Sequence, residues 1–166
     1  MRNVIFCFLL GFPLLAYAQK YDYMWIIGDD NNLIDTTHGG VVIDFNQSPI
    51  TTRYNFRELN MSVANASICD TSGQLLFYTN GCDIAGKDDQ VLHNGDGINP
   101  GLWHNIICDQ NDDGYGSAYS GIMILPKPDS QNVFYIFHQS VKYGNNPLEY
   151  AFINKLLSTE VRQTDV

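Results

Sequence analysis

Beyond an apolar leader, the β-branched and aromatic residues of this chain come in short runs, each stopped by Gly, Asn, Asp or Pro. Tyr23-Met24-Trp25-Ile26-Ile27 ends at Gly28-Asp29-Asp30-Asn31-Asn32, and Val41-Val42-Ile43-Asp44-Phe45 ends at Asn46-Gln47-Ser48-Pro49. Runs this short cannot make helices and read as strands, with the Gly, Asn, Asp and Pro clusters as turns. A third strand is expected around Ile50 to Phe56. An aromatic content of 13% with 14 Gly and 6 Pro fits the same picture, because flat and β-branched side chains suit a pleated surface.

Two hairpins stand out. Asn65 to Asp70 and Leu75 to Thr79 flank Thr71-Ser72-Gly73-Gln74, where Gly73 can supply a positive φ and Asp70 can accept bonds from the turn amides. Gly121 to Leu125 and Val133 to His138 flank Pro126 to Asn132, whose prolines exclude a helix. A strand candidate at Tyr150 to Asn154 follows, then Lys155 to Glu160 and a last strand candidate at Val161. Phe77-Tyr78 and Phe134-Tyr135 align the hairpins at a spacing of 57 positions. A repeat of about 50 residues made only of short strands points to propeller blades. The expected fold is therefore all-β: a partial β-propeller of two to three blades of antiparallel strands, with a β-sandwich as the alternative.

The leader bounds the compartment. Arg2, an apolar run from Val4 and the small-residue ending Ala16-Tyr17-Ala18 have the layout of a secretory signal peptide, and the run is shorter than the ~20 residues of a membrane span. Residues 1–18 are thus expected to be removed after Sec export, leaving 19–166 as one β-repeat region, secreted or at the cell surface. The whole chain carries a net charge of −9. Loss of Arg2 makes it more acidic still, which disfavours nucleic acid and anionic lipid as partners. Cys69, Cys82 and Cys108 remain. A single bridge with one spare thiol competes with three buried thiols, and buried thiols are the favoured reading; their spacing is not that of a zinc site.

Trp25 to Gly28, Gly39 to Phe45, Asn65 to Gly81 and Ile124 to Asp129 resemble the N-terminal part of a family of large secreted proteins of Bacteroidetes. The resemblance implies a signal peptide, a β-propeller-like region and a C-terminal sorting domain for type IX secretion. This sequence ends at Val166 without such a domain, and at ~50 residues per repeat it holds about three blades or fewer. It reads as a fragment or truncated member of that family, with no catalytic residues carried over.

Few residues suggest chemistry. Asp109, Asn111 and Asp113 alternate ahead of Gly114, as in the first half of a Ca2+ loop, but Ser120 stands where an EF-hand would place its bidentate Glu; a solvated acidic loop is the competing reading. Asp29-Asp30 and Asp88-Asp89 read as surface loops. His38, His93, His104 and His138 form no metal motif, and no nucleophile elbow or dinucleotide loop is present. Two N-x-S sequons, at Asn60 and Asn65, read as idle. Trp103, Tyr115 and Tyr119 lie near the Gly- and Asp-rich loop as candidate ligand-binding rings for a glycan or surface protein, against the alternative that they line sheet interfaces. The favoured function is a non-enzymatic exported module for surface interaction or ligand binding. The alternative is a carbohydrate- or polymer-processing enzyme acting at a propeller channel through carboxylates such as Asp44 or Asp70. Mass spectrometry of the product exported from a bacterial host is expected to find its N-terminus at Gln19; retention of residues 1–18 would contradict the leader.

Overall fold

The computed structural model describes residues 19–28, 40–55, 57, 59–61, 64–110, 114–115, 121–130, 132–140 and 155–162. These form three antiparallel sheets of three strands, each a meander in chain order. Sheet 1 joins β1 (Met24–Gly28), β2 (Gly40–Asp44) and β3 (Thr51–Asn55). Sheet 2 joins β4 (Ala66–Cys69), β5 (Leu75–Thr79) and β6 (Ile84–Gly86). Sheet 3 joins β7 (Ile122–Pro126), β8 (Val133–Ser140) and β9 (Lys155–Arg162). A short helix, α1 (Leu102–His104), runs into a π-helical turn over Asn105–Gln110. The expectation of a β-rich antiparallel chain holds. The sequence does not announce the helical turn, β6 or the start of β9 ahead of Val161, and the expected strand at Tyr150 to Asn154 lies outside the described residues.

The sheets pack face to face, with sheet 2 between the others. Met24, Ile26 and Val42 of sheet 1 share a core with Cys69, Leu75, Tyr78 and Ala85 of sheet 2. Ile68, Phe77 and Ile84, on the other face of sheet 2, share a second core with Phe134, Ile136 and Val161 of sheet 3. Phe77 and Phe134 meet edge to face, centroids 5.5 Å apart, the geometry aromatic quadrupoles favour. Full burial of each such side chain is worth about 2 kcal/mol. The first strands of successive sheets are neighbours, β1 against β4 and β4 against β7. Ser67 Oγ donates to Met24 O at 2.8 Å, and Cys69 N donates to Tyr21 O at 2.8 Å, tying sheet 1 to sheet 2.

The first hairpin forms as its residues dictate. Gly73 has φ +89°, and a Cβ there would lie 2.3 Å from Asn46 Oδ1, so glycine is needed for conformation and for space. Asp70 Oδ1 accepts from Ser72 N (2.7 Å), Ser72 Oγ (2.6 Å) and Gln74 N (3.0 Å). Burial works to raise the Asp70 pKa, but these bonds outweigh it and hold the carboxyl below its usual value.

The repeat needs one correction. Phe77 faces sheet 3 while Tyr78 faces sheet 1, and Phe134 faces back toward sheet 2. Phe77 and Phe134 therefore meet across one interface rather than occupying equivalent faces; by facing, Tyr78 corresponds to Phe134. The irregular pairing at Ile68/Cys69 makes the difference, because one extra residue in a strand exchanges its faces.

The cysteines also depart from expectation. Cys82 and Cys108 are bridged, while Cys69 is free and fully buried. Asn80 Oδ1 accepts from Cys82 N (3.0 Å) and Asp83 N (3.1 Å), a turn that brings Cys82 to the π-helical segment with a Cα–Cα distance of 5.7 Å, within bridging range. Cys69 keeps the expected buried thiol, its pKa pushed up to about 11 by burial. Closing a loop of this length constrains the unfolded chain by about 3.5 kcal/mol. Chemical denaturation of the Cys82→Ser, Cys108→Ser double variant is expected to show a loss of that order, with Cys69→Ser leaving the bridge intact.

Candidate functional site

Two of the rings singled out in the sequence come together at the disulfide. Trp103, half-buried on α1, and Tyr115, 5% exposed, pack against Cys82 and Cys108. Tyr115 N donates to Asn80 O at 2.8 Å. Gly81, at φ +85°, allows this approach: a Cβ would lie 2.8 Å from the Tyr115 Cβ and 2.9 Å from Ile122 Cδ1. Tyr115 thus packs the corner where sheets 2 and 3 meet. Asp109 is exposed, its Oδ1 3.4 Å from His104 Nε2. Tyr119, Asn111 and Asp113 lie outside the described residues, and among the described residues no three His, Cys, Asp or Glu side chains gather as metal ligands.

The buried polar groups are arranged as structural networks. Arg57, 5% exposed, pairs through Nη1 with Asp89 Oδ1, and its guanidinium carbon lies 4.7 Å from the Tyr78 ring centroid. Tyr78 donates its hydroxyl to the same carboxylate oxygen at 3.0 Å, and burial pushes the phenol up to about 12. Asp89, expected on a surface loop, is therefore the counter-ion of a buried arginine; Asp88 stays exposed. Sequence alone carried no signal for this pair, because the partners are 32 residues apart. Asp44 and Asp70, the carboxylates considered for a channel, both serve local turns: Asp44 Oδ1 accepts from Asn46 N at 2.8 Å.

A second network joins sheets 2 and 3. Asn99 Nδ2 donates to Gly81 O at 3.2 Å, and its Oδ1 lies 2.7 Å from His138 Nδ1. Since the amide nitrogen must face the carbonyl, Oδ1 faces the imidazole, and His138 Nδ1 carries the proton that Asn99 accepts. Burial holds the His138 pKa below 6.5. Asp83 moves the other way: burial raises its carboxyl, opposed by a bond from Gly97 N.

The most accessible chemistry lies on sheet 1. Strand alternation sends Met24 and Ile26 into the core, and Trp25 and Ile27 outward. Asp22, Tyr23, Trp25, Phe45 and Ile50 line an open groove of about 280 Å³. Trp25 is 50% exposed. Its indole Nε1 donates to Asp22 O at 2.9 Å, and its ring leans on Phe45 with centroids 5.1 Å apart and planes at 56°. The Lys20 ammonium sits 4.8 Å from the Tyr23 centroid. These rings were read from the sequence only as a strand; the alternation of Trp25 against buried Met24 and Ile26 was the available signal for an outward aromatic.

No protein-family model, curated protein or solved structure matches the chain. Among the described residues no helix is long and apolar enough to cross a membrane.

The buried imidazole sets a pH dependence. Unfolded His138 takes up a proton near 6.5, and the folded residue only at lower pH, so its contribution to stability is full above 6.5 and is lost as pH falls below it. Denaturant unfolding at pH 5.5, 6.5 and 7.5 is expected to show lower stability at 5.5, with a shallower slope in His138→Gln. Asp83 is common to both proteins and cancels in the comparison; equal slopes would contradict the assignment.

Proposed function

We propose that this chain is an exported, non-enzymatic module of propeller-like stacked sheets that acts in surface interaction or ligand binding. Support for export comes from the leader and from the Cys82–Cys108 bridge, a bond that persists in oxidising compartments. Support for a propeller-like stack comes from three consecutive meanders whose first strands are neighbours, the arrangement in which each sheet covers the next. The binding reading rests on one observation: Trp25 is held half-exposed in an open groove by a hydrogen bond and a ring contact. A large apolar ring kept at the surface in a fixed orientation loses little freedom when it is covered.

The reading is tested with the purified chain beginning at Gln19, incubated with intact cells and with extracellular polymer of the producing organism. Saturable co-sedimentation with no release of soluble polymer fragments is the expected result. Failure to saturate on any such surface would overturn the binding role, and fragment release in proportion to protein would favour the enzyme.

A further inference from the structure

Resting on that reading, we propose that the Trp25 groove is a binding site for a neutral hexopyranose unit of a glycan, with the Trp25 indole as the stacking platform and Asp22 as the hydroxyl acceptor. The indole N–H is already spent on Asp22 O, so what Trp25 offers a ligand is its apolar face. A pyranose presents a matching apolar face of C–H groups, ringed by hydroxyls. The groove holds about 280 Å³, below the volumes typical of drug-sized sites and suited to one or two sugar rings resting on an open surface.

Charge and geometry separate this ligand from its competitors. Asp22 is exposed at the groove, and a carboxylate covered by a purely apolar segment would lose its water without compensation; sugar hydroxyls replace that water. An anionic sugar would face the Asp22 carboxylate within a chain of net charge −9, with the Lys20 ammonium on Tyr23 offsetting part of that repulsion. A quaternary ammonium seeks several ring faces around one point. Here Trp25 and Phe45 touch each other, leaving no slot between them, and Tyr23 already carries the Lys20 ammonium, which would repel a second cation. Tyr23 is thus a wall of the groove and Trp25 its platform.

The test follows the Trp25 indole N–H resonance, assigned by its loss in Trp25→Phe, during titration with methyl glucoside, methyl galactoside, N-acetylglucosamine and their β-linked dimers. At least one neutral sugar is expected to shift the resonance with a Kd on the order of 1 mM, a scale set by a single stacked ring with a few hydrogen bonds. Trp25→Ala is expected to weaken binding at least about tenfold, Trp25→Phe less, and Asp22→Asn several-fold, each variant retaining a cooperative melt and the strand circular dichroism of the parent. Glucuronate is expected to bind more weakly than glucose. No shift with any neutral sugar, or a shift only with tetramethylammonium or an apolar peptide, would overturn the proposal. Cell-surface retention that survives Trp25→Ala and sugar competition would overturn the sugar site while leaving the binding module standing; absence of retention altogether would remove the broader reading.

Discussion

Strand β5 has no face to give to water. All five of its residues, Leu75 to Thr79, are buried, whereas an antiparallel strand on a two-layer protein turns alternate side chains outward. Sheet 2 therefore needs cover on both sides, and sheets 1 and 3 supply it. The consequences spread from there. Tyr78, turned toward sheet 1, brings a hydroxyl that Asp89 accepts and a ring that Arg57 covers. Phe77, turned the other way, meets Phe134. Thr79, the polar member, is made tolerable by donating to Asp83 O at 2.6 Å and accepting from Gly81 N at 3.0 Å.

How much of this was legible follows from the range of each interaction. The Asp70–Gly73 turn and its two strands were readable because every contact that sets them lies within a few residues. The run of short strands was readable for the same reason. The facing of the repeat was not, because an irregular pair at Ile68/Cys69 leaves no mark in the identity of the residues. The helical turn after Pro100 and Gly101 carries apolar residues that read equally well as loop, and what holds it is the bridge to Cys82, a contact 26 residues away. The candidate site divides likewise. Aromatic enrichment pointed to rings in binding roles, but burial depends on the sheet a ring faces: Tyr115 falls inside a corner and Trp25 outside a sheet.

The polar corner between sheets 2 and 3 and the aromatic groove on sheet 1 share a physical logic. At the corner, Asn99 bonds Gly81 O and His138, fixing sheet 3 against sheet 2, while Asn80 Oδ1 accepts from Cys82 N. At the groove, β1 is fixed on its inner side by Ser67 and on its leading residues by Cys69 N. A site carried on a strand anchored in this way is more precisely placed than one on a free loop. Electrostatics complete the contrast: the buried cation Arg57 is tolerated because a carboxylate and an aromatic face meet it.

The depth of Cys69 bears on which cysteines can exchange. Cys69, Cys82 and Cys108 could pair in three alternative ways, and thiol–disulfide exchange proceeds through thiolate attack, so a thiol that cannot ionise is a poor participant. Covered by sheet 1 in the folded chain, Cys69 has a pKa of about 11, which leaves almost no thiolate at neutral pH. The odd cysteine is thereby withdrawn from exchange with the Cys82–Cys108 bridge in the folded chain.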